Sequence, residues 1–181
     1  MMDSTPNFTP RAQEALKSSR DYALEYRSSS VCVEHLLLGL VSQPRGLLRE
    51  IFDISGYGID DFREYIEEGM PRGKRKSDNI TFSEEFKAIL EIACDSANSL
   101  AQSYVGTEHL LIAIIKYNAP VTENLFYACG INPASLSVAI KAHLLESSSI
   151  ASSIEAESVE SSPDLLSPPQ KAQKTSTALE S

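Results

Sequence analysis

Apolar and polar positions alternate at helical spacing along most of the chain. Ala12, Ala15, Leu16, Ser19, Ala23 and Tyr26 fall on one helix face, with Arg11, Glu14, Lys17, Arg20 and Asp21 largely on the other. Thr9-Pro10 supplies the start, with threonine as N-cap and proline at the first helical position, where its missing N–H costs nothing. The pattern predicts a helix from there to about Tyr26. A different pattern follows the loop Ser28-Ser29-Ser30. The run from Val31 to Leu40 places Glu34-His35 before an unbroken apolar block. A run this short with no polar face must be buried, and periodicity alone does not separate strand from helix. The same run recurs from Val105 to Ile114, with Glu108-His109 before the block. There Thr107 is a candidate N-cap, and Glu108 falls in the first turn, where a negative charge meets the positive end of the helix dipole. Both runs are read as short core helices, the first ending near Val41.

Adding 74 to a residue number carries the first run onto the second, and the correspondence continues beyond it. Phe8-Thr9 falls on Phe82-Ser83, Ala12 on Phe86, Ala15 on Ile89, Leu16 on Leu90 and Ser19 on Ala93. Ile51-Phe52 falls on Leu125-Phe126, and Gly56 on Gly130. After the extra pair Tyr57-Gly58 the offset becomes 72, so that Ile59-Asp60 matches Ile131-Asn132. Apolar positions matched over such a length mark an internal duplication. Two copies are too few for a solenoid. They predict one domain with pseudo-two-fold symmetry, each copy covering the other's apolar face.

Turn signals then divide each copy into four helices. Pro44-Arg45-Gly46 is a turn; Leu47, Leu48, Ile51, Phe52 and Ile54 mark a third helix closed by Gly56. Asp60 is expected to cap a fourth, carrying Phe62, Tyr65 and Ile66. In the second copy Ser83-Glu84-Glu85 opens a long helix to about Ser103, Thr107 opens the Glu-His helix and Pro120 the next. Asn132-Pro133 opens the last, with Leu136, Ala139, Ile140 and Leu144 facing inward. No alternating Val/Ile/Thr run asks for a strand. The fold class is therefore all-α: two pseudo-symmetric four-helix repeats packed into one eight-helix domain. Residues 1–8 form a flexible lead-in, 9–68 the first repeat, 69–80 a linker and 81–146 the second repeat. Residues 147–181, rich in Ser, Glu, Pro and Ala without an aromatic residue, cannot offset the entropy of ordering and form a disordered tail.

Charge and composition narrow the function. The chain of 181 residues carries 16 Lys+Arg against 25 Asp+Glu, a formal charge of −9. That balance argues against general nucleic-acid binding, and the basic cluster Arg72, Lys74, Arg75 and Lys76 reads as a solvated loop. No apolar stretch approaches a membrane span, and the start has no basic-then-apolar secretory pattern. Cys32, Cys94 and Cys129 are odd in number and lack metal-site spacing, which reads as buried free thiols in a reducing cytoplasm. No Gly-x-x-x-x-Gly-Lys-Ser/Thr loop is present, so ATP hydrolysis by that route is absent. Glu34, His35, Glu108 and His109 are four conceivable ligands for a metal-dependent hydrolase. However, adjacent Glu and His diverge by about a hundred degrees on a helix, unlike the His-Glu-x-x-His zinc signature. The histidines read as packed or hydrogen-bonded groups at the pseudo-symmetric interface, and the glutamates as helix-start groups or ligand contacts. The cysteines have no nucleophile motif around them. No cofactor is expected.

Phe-Thr-Pro-Arg-Ala-Gln at 8–13, Tyr-Val-Gly-Thr-Glu-His-Leu-Leu at 104–111, Gly-Ile-Asn at 130–132 and the duplication carry a resemblance. Over about residues 7–146 the chain resembles the amino-terminal Clp repeat (Clp N) domain of the Clp/Hsp100 chaperones, of the ClpC type. The resemblance implies a non-catalytic module that receives protein substrates and adaptor proteins for a Clp AAA+ ATPase feeding a Clp peptidase. It also implies pockets for phosphoarginine-marked proteins at Glu34 and Glu108, with Thr9 and Arg11 in the first copy and Ser83 and Thr107 in the second. The chemistry is coherent, because carboxylates pair with guanidinium groups and helix N-termini accept phosphate. The sequence departs from that pattern twice. Cys32-Val33 stands where the family has Gly-Thr, and Glu85 stands where the first copy has Arg11. The rival role is a stand-alone accessory or structural assembly subunit of a Clp complex without substrate contact.

Overall fold

The computed structural model describes residues 6–74 and 78–147. Of the expected disordered tail 147–181, Ser147 is helical and residues 148–181 lie outside the described residues, as do residues 1–5 of the lead-in and Arg75 and Lys76 of the basic cluster. Seven helices run α1 (Pro10–Glu25), α2 (Val33–Val41), α3 (Leu47–Ile54), α4 (Ile59–Gly69), α5 (Glu84–Ser99), α6 (Thr107–Tyr117) and α7 (Pro120–Ala128). An eighth, α8, covers 133–147. The chain divides after Lys141 into two compact units. Of the second, residues 142–147 are described, and they are helical, with the Ser147 hydroxyl donating to the His143 carbonyl at 3.0 Å.

The first unit has a paired plan. α1 packs along α2 and α5 along α6, and α2 meets α6 between the two pairs. All of α2 except Glu34 is buried, and in α6 so are Thr107 and every residue from His109 to Ile114. Each fully buried Leu, Val or Ile in this pair adds about 1.5–3 kcal/mol of gross hydrophobic stabilisation. Phe52 and its symmetry mate Phe126 both stack on Phe62, at 5.9 and 5.2 Å between ring centres, so one aromatic row joins the repeats.

Equivalent residues set equivalent helix ends. Thr9 Oγ1 accepts the Ala12 N–H at 3.2 Å, and Ser83 Oγ accepts the Phe86 N–H at 3.1 Å. Past α1 and α5 the chain turns through left-handed residues at Arg27 and Ala101, each with φ of 56°. Past α3 and α7 it turns through Gly56 (φ 79°) and Gly130 (φ 72°). All four positions obey the 74-residue offset.

Several expectations are corrected. Two short parallel strands exist, β1 (Ser30–Val31) and β2 (Thr81–Phe82), and an isolated parallel bridge joins Phe8 to Val105. Asp60 does not cap α4; the cap is Gly58, and Asp60 sits in the first turn, held by Arg49 at 3.0 Å. α5 ends at Ser99, short of Ser103. Asn7 and Phe8, assigned to the lead-in, are pinned to Val105. Of the expected linker, Met70, Arg72, Gly73 and Ile80 are held: the Gly73 N–H donates to the Tyr26 carbonyl at 2.9 Å, the Arg72 guanidinium lies 5.1 Å from the Tyr26 ring centre, and Met70 and Ile80 are buried.

Candidate protein-binding site

The two Glu-His pairs begin two core helices, and histidine rather than a hydroxyl caps each. Thr107, expected as the N-cap, is the first residue of α6 and is buried; the cap is Gly106. His109 Nδ1 accepts the Gly106 N–H at 2.9 Å, and His35 Nδ1 accepts the Cys32 N–H at 2.9 Å. Each histidine therefore fills the reaching-back role that Glu or Gln has in a capping box. Burial pulls the His35 pKa down to about 4 and lowers that of His109. Both Nε2 atoms are buried with no hydrogen-bond partner among the described residues. With the rings thus fixed inward, the neighbouring Glu34 and Glu108 point away from the core and remain half-buried at its rim.

The short strands decide which helix starts share a rim. Val31 pairs with Phe82, and Val105 pairs with Phe8. The Ser83 N–H donates to the Val31 carbonyl and the Thr9 N–H to the Val105 carbonyl, both at 3.0 Å. The repeats thus exchange entry segments. The start of α1 lies beside the start of α6, and the start of α5 beside that of α2. Grouping the residues by copy is therefore corrected: Thr9 and Arg11 belong with Thr107 and Glu108, and Ser83 belongs with Glu34.

The two rims differ in charge. At the α1/α6 rim the Thr107 hydroxyl donates to Glu108 Oε2 at 2.7 Å. Arg11 donates to the Arg45 carbonyl, and its own carbonyl accepts from Gln43 at 3.0 Å. Arg11 and Thr107 line one small cavity. At the α5/α2 rim Val33 replaces the threonine and Glu85 replaces the arginine. Glu34 borders a pocket of about 250 Å³ whose walls are Ile66, Met70, Pro71, Val121 and Leu125. Glu85 is pushed up, first by burial and then by the charge of Glu34. Sequence reasoning named Ile66 and Leu125 as apolar positions but did not join them with Met70, Pro71 and Val121 into a pocket, because the walls come from two helices distant in sequence. A wider groove, about 570 Å³, is lined by Pro6, Phe8, Leu90 and Cys94 with Glu91 and Asp95 at its edge.

Metal chemistry has no support. Both Nδ1 lone pairs are occupied by backbone N–H groups, and among the described residues no three His, Cys, Asp or Glu side chains gather as a metal site. Cys32, Cys94 and Cys129 are free thiols, half-buried where full burial was expected, and burial raises the pKa of Cys94 and Cys129. Among the described residues no helix is long and apolar enough to cross a membrane.

The class of protein is a duplicated all-α domain with helix-start carboxylates at two pseudo-symmetric rims. The model of the Clp repeat (R) N-terminal domain matches residues 7–125 and again 81–181. The chain belongs to that family. It is 31% identical over 125 residues to the negative regulator of genetic competence ClpC/MecB of Bacillus subtilis, a match covering 69% of this chain and 15% of that protein. The Hsp104 N-terminal domain of Candida albicans shares the fold at a TM-score of 0.67 and 19% identity, over 74% of this chain and 89% of that one. A ClpV N-domain solved in complex with a VipB peptide shares it at a TM-score of 0.59 and 19% identity, over 76% of this chain and 91% of that one.

Proposed function

We propose that this chain is a non-catalytic protein-binding module that receives substrates or adaptor proteins for an AAA+ unfoldase of the Clp type, in a cytoplasmic setting. The observation that carries the reading is the pair of rims. Two carboxylates stand at buried helix starts, fixed by histidine caps and by backbone pairing between the repeats. Such rigid, half-exposed groups suit the recognition of cationic polypeptide side chains. Family membership supports the same reading, and so does the peptide carried by the ClpV N-domain of like fold. The chain spans about 15% of the length of ClpC/MecB, so the unfoldase and its peptidase enter as partners of this module.

The contact residues in this proposal are Thr9, Arg11, Thr107 and Glu108 at one rim and Ser83 and Glu34 at the other. A phosphoarginine group fits the α1/α6 rim, where Arg11 supplies a cation. Capture assays with a Clp ATPase, its adaptors and its peptidase test the proposal. Enrichment of an adaptor or client that is lost on joint reversal of Glu34→Lys and Glu108→Lys, with helicity intact, is the expected result. Capture of no Clp component overturns the proposal. Capture unchanged by the double reversal assigns the chain a structural role in assembly instead.

A further inference from the structure

The α5/α2 rim differs from its counterpart in charge and in the apolar pocket beside its glutamate. Glu34 and Glu85 are half-buried, and among the described residues neither carboxylate accepts a hydrogen bond or joins an ion pair. Elsewhere carboxylates are paired, Asp60 with Arg49 between α4 and α3 and Glu67 with Arg63 within α4. Here burial raises the pKa of Glu85, and Glu34 raises it further. Two like charges that are partly desolvated and uncompensated repel each other, and a cation placed between them relieves both costs. The wall beside Glu34 is apolar. Ile66 and Met70 at the end of α4 and Val121 and Leu125 on α7 enclose about 250 Å³, room for one large aliphatic or aromatic side chain.

We propose that this rim binds an extended polypeptide through an unmodified arginine or lysine next to a large apolar residue. The cation sits between Glu34 and Glu85, and the apolar side chain fills the pocket walled by Ile66, Met70, Val121 and Leu125. The proposal rests on the reading of the chain as a protein-binding module and names the ligand of one of its rims. Phosphorylation of the arginine is rejected there. Its added negative charge meets two carboxylates, with no cation in place of the arginine found at position 11. The two rims are thus divergent in specificity although they are alike in backbone. One carries Arg11 in the first turn of its long helix, and the other carries Glu85 at the equivalent position.

The test uses the 181-residue chain and fluorescence anisotropy with labelled peptides carrying a central Arg-Leu in a Gly/Ser background. Replacing the arginine with glutamine, or the leucine with serine, is expected to weaken binding about threefold to tenfold. Replacing it with phosphoarginine is expected to weaken binding by about tenfold or more at this rim, measured in a Glu108→Gln background that silences the other. Glu34→Gln and Glu85→Gln should each weaken the Arg-Leu peptide about threefold, and Glu85→Arg should abolish the preference for arginine over phosphoarginine. Equal binding of arginine and phosphoarginine peptides, indifference to both glutamine variants, or no binding of any peptide overturns the inference. If Clp components are captured while the peptide preferences are absent, the inference fails and the proposed function stands. If the preferences hold while no Clp component is captured, the rim assignment stands and the proposed function fails.

Discussion

His35 Nδ1 accepts the backbone N–H of Cys32 at 2.9 Å, in a ring that is 2% exposed. The bond works only while the imidazole is neutral, because a protonated Nδ1 has no lone pair to offer. Burial accordingly pulls the pKa to about 4. A histidine whose folded pKa lies below its unfolded value near 6.5 gives its full stabilisation above about pH 6.5 and loses it as the pH falls toward 4. For His35 the gap corresponds to roughly 3 kcal/mol, and His109 adds in the same direction. Urea unfolding should therefore show stability falling across pH 6.5 to 4. Replacing His35→Gln keeps an acceptor for the Cys32 N–H and removes the titration. The variant should lose less stability across that range than the parent; an unaltered slope would show that other groups drive the acid response.

Gly39 is placed where α2 runs closest to α1. A methyl group there would stand 2.6 Å from the Ala15 carbonyl oxygen and 3.2 Å from the Ser19 nitrogen, both of them backbone atoms that cannot turn aside. Gly39→Ala gains helix propensity of about 0.5–1 kcal/mol yet forces the two helices apart. The net expectation is a loss of about 1–3 kcal/mol in chemical denaturation. The equivalent position in the second repeat is already alanine, Ala113, fully buried on α6. A neutral Gly39→Ala would mean that α1 can shift without cost, against the tight α1/α2 seam.

Much of this architecture was readable before any coordinates. The 74-residue offset placed the equivalent helices and paired Gly56 with Gly130, and the hydroxyl caps Thr9 and Ser83 sat where their side chains accept an N–H. Two features were hidden for physical reasons. Strands of two residues are too short to show alternation, so the pairing of Val31 with Phe82 left no periodic trace. Phe8 and Val105 are neighbours across a large separation in sequence, and no local pattern reports a backbone bond over that span. That hidden pairing is what moves Thr9 and Arg11 to the other copy's glutamate. The capping histidines did leave a signal: a His three residues past each cap, in both copies. In the second copy Thr107, a more familiar capping residue, stands next to the true cap Gly106 and obscures that signal.

The crossed pairing gives the third prediction. Asn7 supplies the carbonyl that accepts the Val105 N–H at 2.8 Å, and Phe8 bridges to the same residue. Removing residues 1–8 deletes that support at the α1/α6 rim and leaves the β1/β2 pair intact. Hydrogen exchange at the Val105 amide should accelerate at least tenfold, while the Ser83 amide, bonded to Val31 at 3.0 Å, stays protected. Removing residues 1–6 should change neither amide. Equal acceleration at both would mean that the two rims are energetically one unit.

The fourth prediction concerns the end of α5. Ala101 is held at φ 56°, a left-handed conformation in which a side chain costs roughly 1–2 kcal/mol and glycine costs nothing. It is exposed, so a change there removes no packing. Ala101→Gly relieves that strain, and the larger entropy of an unfolded glycine returns part of the gain. The net stabilisation expected is about 0.5–1 kcal/mol, a rise of a few degrees in Tm. Ala97→Gly makes the contrast, because Ala97 is 2% exposed in the last turn of α5 itself. There glycine removes a buried methyl and weakens the helix, so Tm should fall. Opposite signs for the two substitutions, only four residues apart, would locate the helix end at the left-handed residue. A fall in both would mean that the turn after α5 is not held at that conformation in solution.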